Sequence, residues 1–158
     1  MPMPTRLLPL PALTLILAAV LATACDDPCD TMENKKLLDR AAAEEGAVRT
    51  ESGLVYRELK AGYGPQPKAS NRVQVHYEGR LPDGTIFDSS YQRGTPAEFK
   101  LSGVIPGWTE GLQRLRGGGE AKLTVPPDLA YGRKGAGGGK IPPCSVLIFR
   151  VELLGIYD

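Results

Sequence analysis

The chain has 158 residues, with 19 Lys and Arg against 18 Asp and Glu, and a formal charge of +1. That length supports one folded domain able to bury a core, and the balanced charge gives no electrostatic case for nucleic-acid binding, which needs clustered Lys and Arg. One histidine and three cysteines without a CxxC pair make a poor ligand set, so no metal and no cofactor is expected.

Residues 1–24 read as a signal peptide. Arg6 is the only charge before Asp26, and Leu7 to Leu21 is apolar apart from Thr14, with Pro9 and Pro11 in its early part. Ala22-Thr23-Ala24 then supplies an A-x-A cleavage pattern. The run is short for a membrane span of about 20 residues. The segment LATAC resembles a bacterial lipobox, whose cysteine thiol receives the diacylglyceryl group, with Ala22 where Leu is usual. This resemblance implies lipidation at Cys25, a membrane anchor and a periplasmic location. Cys29 and Cys144 can then pair in an oxidising compartment. Without lipid, Cys25 and Cys29 can bridge locally. The simpler expectation leaves Cys144 an unpaired, small, half-buried residue.

Residues 25–47 are expected to form a tether and one helix. Asp30 and Glu33 have capping-box spacing. Asn34 to Glu45 is rich in helix formers, with Leu37, Leu38, Ala41 and Ala42 on one stripe and Gly46 as a stop. From Gly53 the pattern turns to strands, within a folded domain expected over residues 48–158. Leu54 and Tyr56 alternate with Val55 and Arg57, and Val73, Val75 and Tyr77 with Gln74, His76 and Glu78. Pro82-Asp83-Gly84 is a turn. Trp108, Leu112 and Leu115 lie on one face of a short helix. Ala121, Leu123 and Val125, then Leu147, Phe149, Val151 and Leu153, repeat the strand period. Gly135 to Gly139 is a glycine-rich flap without the Lys-Ser/Thr of a phosphate loop. The expected class is α+β: an antiparallel β-sheet wrapped around one short α-helix and preceded by one N-terminal helix.

Four segments carry chemistry: VHYEGRLPDGTIFDS (Val75 to Ser89), VIPGWTEGL (Val104 to Leu112), LAYG (Leu129 to Gly132) and IPPCSVLIFRVELL (Ile141 to Leu154). Their aromatics, joined by the acid Asp88, suit an apolar concavity with few polar tips. In these motifs, from about Gly53 to Leu154, the chain resembles the FKBP-type peptidyl-prolyl cis-trans isomerases. TESGLVYRELKAGYGP (Thr50 to Pro65) is similar to the exported macrophage-infectivity-potentiator and FkpA type. Those relatives carry a longer helical region that makes their dimer. The single helix here implies a spacer or cap and a monomer.

The resemblance implies an isomerase for proline-containing clients, able to bind FK506-like macrolides. It places Trp108 as the floor under the proline ring, with Tyr77, Phe87 and Phe149 as walls and Val104 and Ile105 alongside. The Ile105 amide and the Tyr131 hydroxyl would donate to client carbonyls. Asp88 would sit near the rotating carbonyl, held by the Tyr77 hydroxyl. Phe99 and Tyr56 are expected to serve only the core, and His76 to face away from Tyr77. Ala97, Gly137 and Cys144 depart from family positions that carry an aromatic, a histidine, and Asn or His. The alternative is a non-catalytic module of the same family that binds as a chaperone or assembly subunit.

Overall fold

The computed structural model describes residues 27–158. Cys25 and the signal segment therefore lie outside the described residues. Helix α1 spans Met32–Ala42 and is followed by strands β1 (Ala47–Arg49), β2 (Val55–Lys60), β3 (Arg72–Arg80) and β4 (Ile86–Ser89). A short helix α2 (Ser90–Arg93), strand β5 (Ala97–Lys100), helix α3 (Pro106–Leu112) and strands β6 (Glu120–Val125) and β7 (Leu147–Tyr157) complete the order. Seven strands form one antiparallel sheet in the order β1-β2-β6-β7-β3-β4, with β5 also on β3. The class is α+β, as expected, and no helix among the described residues is long and apolar enough to cross a membrane.

One face of the sheet closes over α3. Val73, Val75, Leu123, Val125, Val151 and Leu153 are fully buried there, with Leu101, Leu112 and Leu115 opposite them. Each such side chain contributes about 1.5–3 kcal/mol on leaving water. The helix sits close because two of its residues have no side chain. A Cβ at Gly107 would stand 2.5 Å from Val125 Cγ1, and one at Gly111 2.7 Å from Leu123 Cδ2. Pro106 at the first helical turn sets φ and gives up a donor that the turn would not use. Leu115, placed on the helix by its spacing, lies past the helix end and is nonetheless buried.

The other face is partly covered by α1, and here the sequence expectations need correction. The cap is Thr31, whose hydroxyl accepts from the Asn34 amide at 3.1 Å; Asp30 instead pairs with Lys35 at 2.8 Å. The helix starts and ends earlier than its pattern suggested. Leu38 and Ala41 pack on Val55 and Val146, forming a second small core. Val55 is thus buried alongside Leu54, and the half-buried alternation fails at that point because both faces of β2 are covered. Glu44 reaches Arg57 at 2.7 Å and Lys122 at 2.6 Å, tying the end of the helical segment to β2 and β6.

Cys144 is bonded to Cys29, 115 residues away, with a Cα–Cα distance of 4.7 Å. The expectation of an unpaired Cys144 is overturned. The docking of α1 brings the two together, and the Asn34 side chain donates to both the Cys29 carbonyl (2.9 Å) and the Cys144 carbonyl (3.0 Å). A contact this remote in sequence leaves no local signature.

Candidate functional site

A cavity of about 310 Å³ lies between α3 and the strands β3, β4, β5 and β7. All eight residues expected there line it: Tyr77, Phe87, Asp88, Val104, Ile105, Trp108, Tyr131 and Phe149. Phe99 lines it as well, so its assignment to the core alone is corrected; Tyr56 packs only against the core.

The floor is built around Trp108, which is 4% exposed. Three rings meet it edge to face: Tyr77 at 5.1 Å, Phe149 at 5.3 Å and Phe99 at 5.5 Å between centroids. Such pairs contribute about 0.5–1.5 kcal/mol each beyond area burial. They fix the indole as a rigid surface. Its Nε1 is buried without a hydrogen-bond partner among the described residues. Phe87 stands edge to face on Phe149 at 5.6 Å. Both rings fit because Gly79 lies beneath them: a Cβ there would come within 2.5 Å of Phe87 Cζ and 2.8 Å of Phe149 Cε1.

Tyr77 reaches the cavity from β3 at a break in the neighbouring pairing. On that edge β3 pairs with β5 over Arg72 to Val75 and with β4 over Glu78 to Arg80. Between them Ser90 of α2 substitutes for a strand. Its hydroxyl accepts from the Tyr77 amide at 2.7 Å and lies 3.2 Å from the Tyr77 carbonyl and 2.9 Å from His76 Nδ1. His76 faces away from Tyr77, as expected, and its ring stacks on Tyr91 with centroids 4.7 Å apart.

Asp88 is the one acid of the cavity. The Tyr77 hydroxyl donates to one carboxylate oxygen and the Arg93 guanidinium to the other, while Arg93 also donates to the Tyr77 hydroxyl at 3.1 Å. Burial pushes the Asp88 carboxyl up, but the hydrogen bonds from Tyr77 and Arg93, with the Arg93 charge, outweigh it and hold the group below the usual carboxylate range. Burial, then the hydrogen bond to Asp88, pushes the Tyr77 hydroxyl up, so it stays protonated and a donor. Sequence reasoning missed Arg93. The available signal was the turn chemistry: Ser89 caps α2, Gly94 ends it in the left-handed region, and this single turn returns Arg93 to Asp88.

Ile105 caps α3, and no hydrogen bond from its amide forms among the described residues. Tyr131 is 42% exposed at the rim, with its hydroxyl free to meet a ligand. The arrangement is an apolar bowl with two donors at its edge and one fixed anion. No nucleophile stands beside a base in it, and among the described residues no group of three or more His, Cys, Asp or Glu side chains is placed to hold a metal.

A family described as FKBP-type peptidyl-prolyl cis-trans isomerase matches residues 64–154. The chain is 52% identical over 124 residues to the FKBP-type 22 kDa peptidyl-prolyl cis-trans isomerase of Escherichia coli, covering 78% of this chain and 60% of that protein. It is 50% identical over 124 residues to FkpA of Escherichia coli, covering 45% of the relative. The chain thus spans about half the length of such curated relatives. Among solved structures, FkpA from Escherichia coli superimposes with a TM-score of 0.77 at 49% identity, covering 80% of this chain and 58% of that one. A peptidyl-prolyl cis-trans isomerase from Pseudomonas syringae gives a TM-score of 0.74 at 40% identity, covering 80% of this chain and 92% of its own.

Proposed function

The chain belongs to the FKBP-type peptidyl-prolyl cis-trans isomerase family, and on that premise we propose that it accelerates rotation about X-Pro bonds in exported polypeptides. The observation that carries this reading is the rigid aromatic bowl on Trp108 with Asp88 fixed at its side by Tyr77 and Arg93. The amide barrier is about 18–20 kcal/mol, set by resonance. At its top the C–N bond is twisted, conjugation is lost, and the group is less dipolar than the planar amide. An apolar cavity therefore favours the twisted form over the planar one relative to water. That difference in binding lowers the barrier without a nucleophile or a proton transfer.

In this reading the proline ring rests on Trp108 between Tyr77, Phe87 and Phe149, beside Val104 and Ile105. The Ile105 amide and the Tyr131 hydroxyl donate to the client's carbonyls and fix the chain on either side of the rotating bond. Asp88, kept ionised, orients the carbonyl dipole. Macrolides of the FK506 type compete for the same bowl, with a weaker grip where Ala97 stands in place of an aromatic wall. The assay is proline-limited refolding. Residues 26–158 at catalytic concentration should shorten the slow phase, which otherwise lasts tens to hundreds of seconds. A slow phase that does not change would leave only the binding module, detected as retention of a proline peptide without turnover.

Export is part of the proposal. Residues 1–24 serve as the signal peptide, Cys25 carries the lipid, residues 25–47 form the tether and helix, and residues 48–158 the isomerase domain, acting as a monomer in the periplasm. The Cys29–Cys144 bond supports this location, because such bonds persist in oxidising compartments.

A further inference from the structure

A second cavity, of about 340 Å³, adjoins the aromatic one. Phe87, Asp88 and Tyr131 line both, so the two are compartments of one groove. A peptide whose proline fills the first has a neighbouring residue within reach of the second, since successive Cα atoms are only about 3.8 Å apart.

The second compartment is lined on its outer side by the flap residues Ala136, Gly137, Lys140 and Ile141. Lys140 is its only cation. Its anion, Asp88, is already engaged by Arg93 and Tyr77. Among the described residues neither Lys140 nor Lys134 forms an ion pair, while Arg133 reaches Asp27 at 3.4 Å. The flap therefore presents uncompensated positive charge to the groove. The lysine is also held. Ala136 and Ile141 exchange backbone hydrogen bonds of 3.0 and 3.1 Å immediately beside it. Its stem lies across Gly137, where a Cβ would meet the Lys140 Cβ, Cγ and Cδ at 3.3–3.7 Å. A Cβ at position 137 would therefore touch this stem, closely at the Lys140 Cβ.

We infer that the flap compartment reads the residue next to the client proline, and that Lys140 makes it favour a carboxylate side chain there. This deepens the isomerase reading and rests on it. The test uses two series of short peptides, with Glu, Gln or Lys either just before or just after the proline, and measures kcat/KM for isomerisation by exchange spectroscopy. An exposed ion pair is worth about a 2- to 5-fold preference. In one of the two series Glu should exceed Gln by that factor at low salt, Lys should fall below both, and high salt should shrink the differences. Lys140→Ala should bring the Glu-to-Gln ratio near one, Lys140→Glu should reverse it, and Lys134→Ala should retain it. Equal rates in both series overturn the inference and leave the isomerase intact. A ratio that survives Lys140→Ala, or falls equally with Lys134→Ala, also overturns it, because the preference would then come from the general field. If no peptide is accelerated, the isomerase reading and the inference fall together.

Discussion

Ser90 is fully buried, and its hydroxyl stands where β3 would otherwise need a strand. Replacing it with Ala takes the hydroxyl away from the buried Tyr77 amide and carbonyl. Such a loss costs about 1–3 kcal/mol. Ser90→Ala should therefore lower the urea midpoint and release the Tyr77 ring from its place against Trp108; an unchanged midpoint would mean that water replaces the hydroxyl. Asp88 carries the pH dependence of the site. Its folded value is held below the ordinary one of about 3.9, so the carboxylate is fully ionised well below neutrality. Isomerase activity should be flat from about pH 6 to 8. The stability that Asp88 adds is present above its unfolded value and is lost as pH falls through the lower folded value. The gap in stability between wild type and Asp88→Asn should close over that acidic window. A bell-shaped activity profile centred near neutrality would point to a titrating group other than Asp88.

Helix α1 is attached to the rest of the molecule at four places: the small core around Val55 and Val146, the Asp39 pair to Arg49 of β1 at 2.8 Å, the Glu44 pairs to Arg57 and Lys122, and the Cys29–Cys144 bond with Asn34 bridging its two carbonyls. The bond closes a loop of more than a hundred residues, and removing a native disulfide of this kind costs about 2–4 kcal/mol. Cys144→Ser should lower the melting temperature by several degrees and reduce far-UV helix signal before Trp108 fluorescence changes, because the sheet and α3 keep their own core. Identical melting of the oxidised and substituted proteins would show that packing alone holds the helix. Helix α2 is a single turn, and its value lies in position: it delivers Ser90 to Tyr77 and Arg93 to Asp88.

At the scale of the whole molecule, the site and the proposed anchor are separate. The bowl is built downstream of residue 72, and the nearest described residue to Cys25 is Asp27. Cys25→Ser should leave activity and melting unchanged and move the protein from the membrane fraction to the soluble one. One buried acyl chain gives only marginal binding, and two or more give stable anchoring, so the shift should be nearly complete. Wild-type protein that is already soluble, with an unmodified Cys25 as its first residue by mass spectrometry, would end the lipoprotein proposal and leave a periplasmic isomerase without an anchor.

Much of this molecule was legible before any coordinates. Strand alternation in Val73 to Tyr77, Ala121 to Leu123 and Leu147 to Leu153 follows from the period of side chains on a half-buried sheet, a local property, and it fails at Thr124, which is buried between Leu123 and Val125. The eight cavity residues were legible too, because their motifs sit intact along the chain. Tertiary structure decided what depends on convergence. Phe99 joins the bowl because β5 lies beside β3, Arg93 because one turn of helix returns it to Asp88, and Lys140 reaches the adjoining cavity because the Ala136–Ile141 backbone pair closes the flap back on itself. The docking of α1 buried Val55 on a face that its alternation marked as exposed, and it paired two cysteines that sequence separation had kept apart. Local chemistry writes the period and the caps. Which distant surfaces meet is set by burial summed over the whole chain, and a single sequence carries no local mark of it.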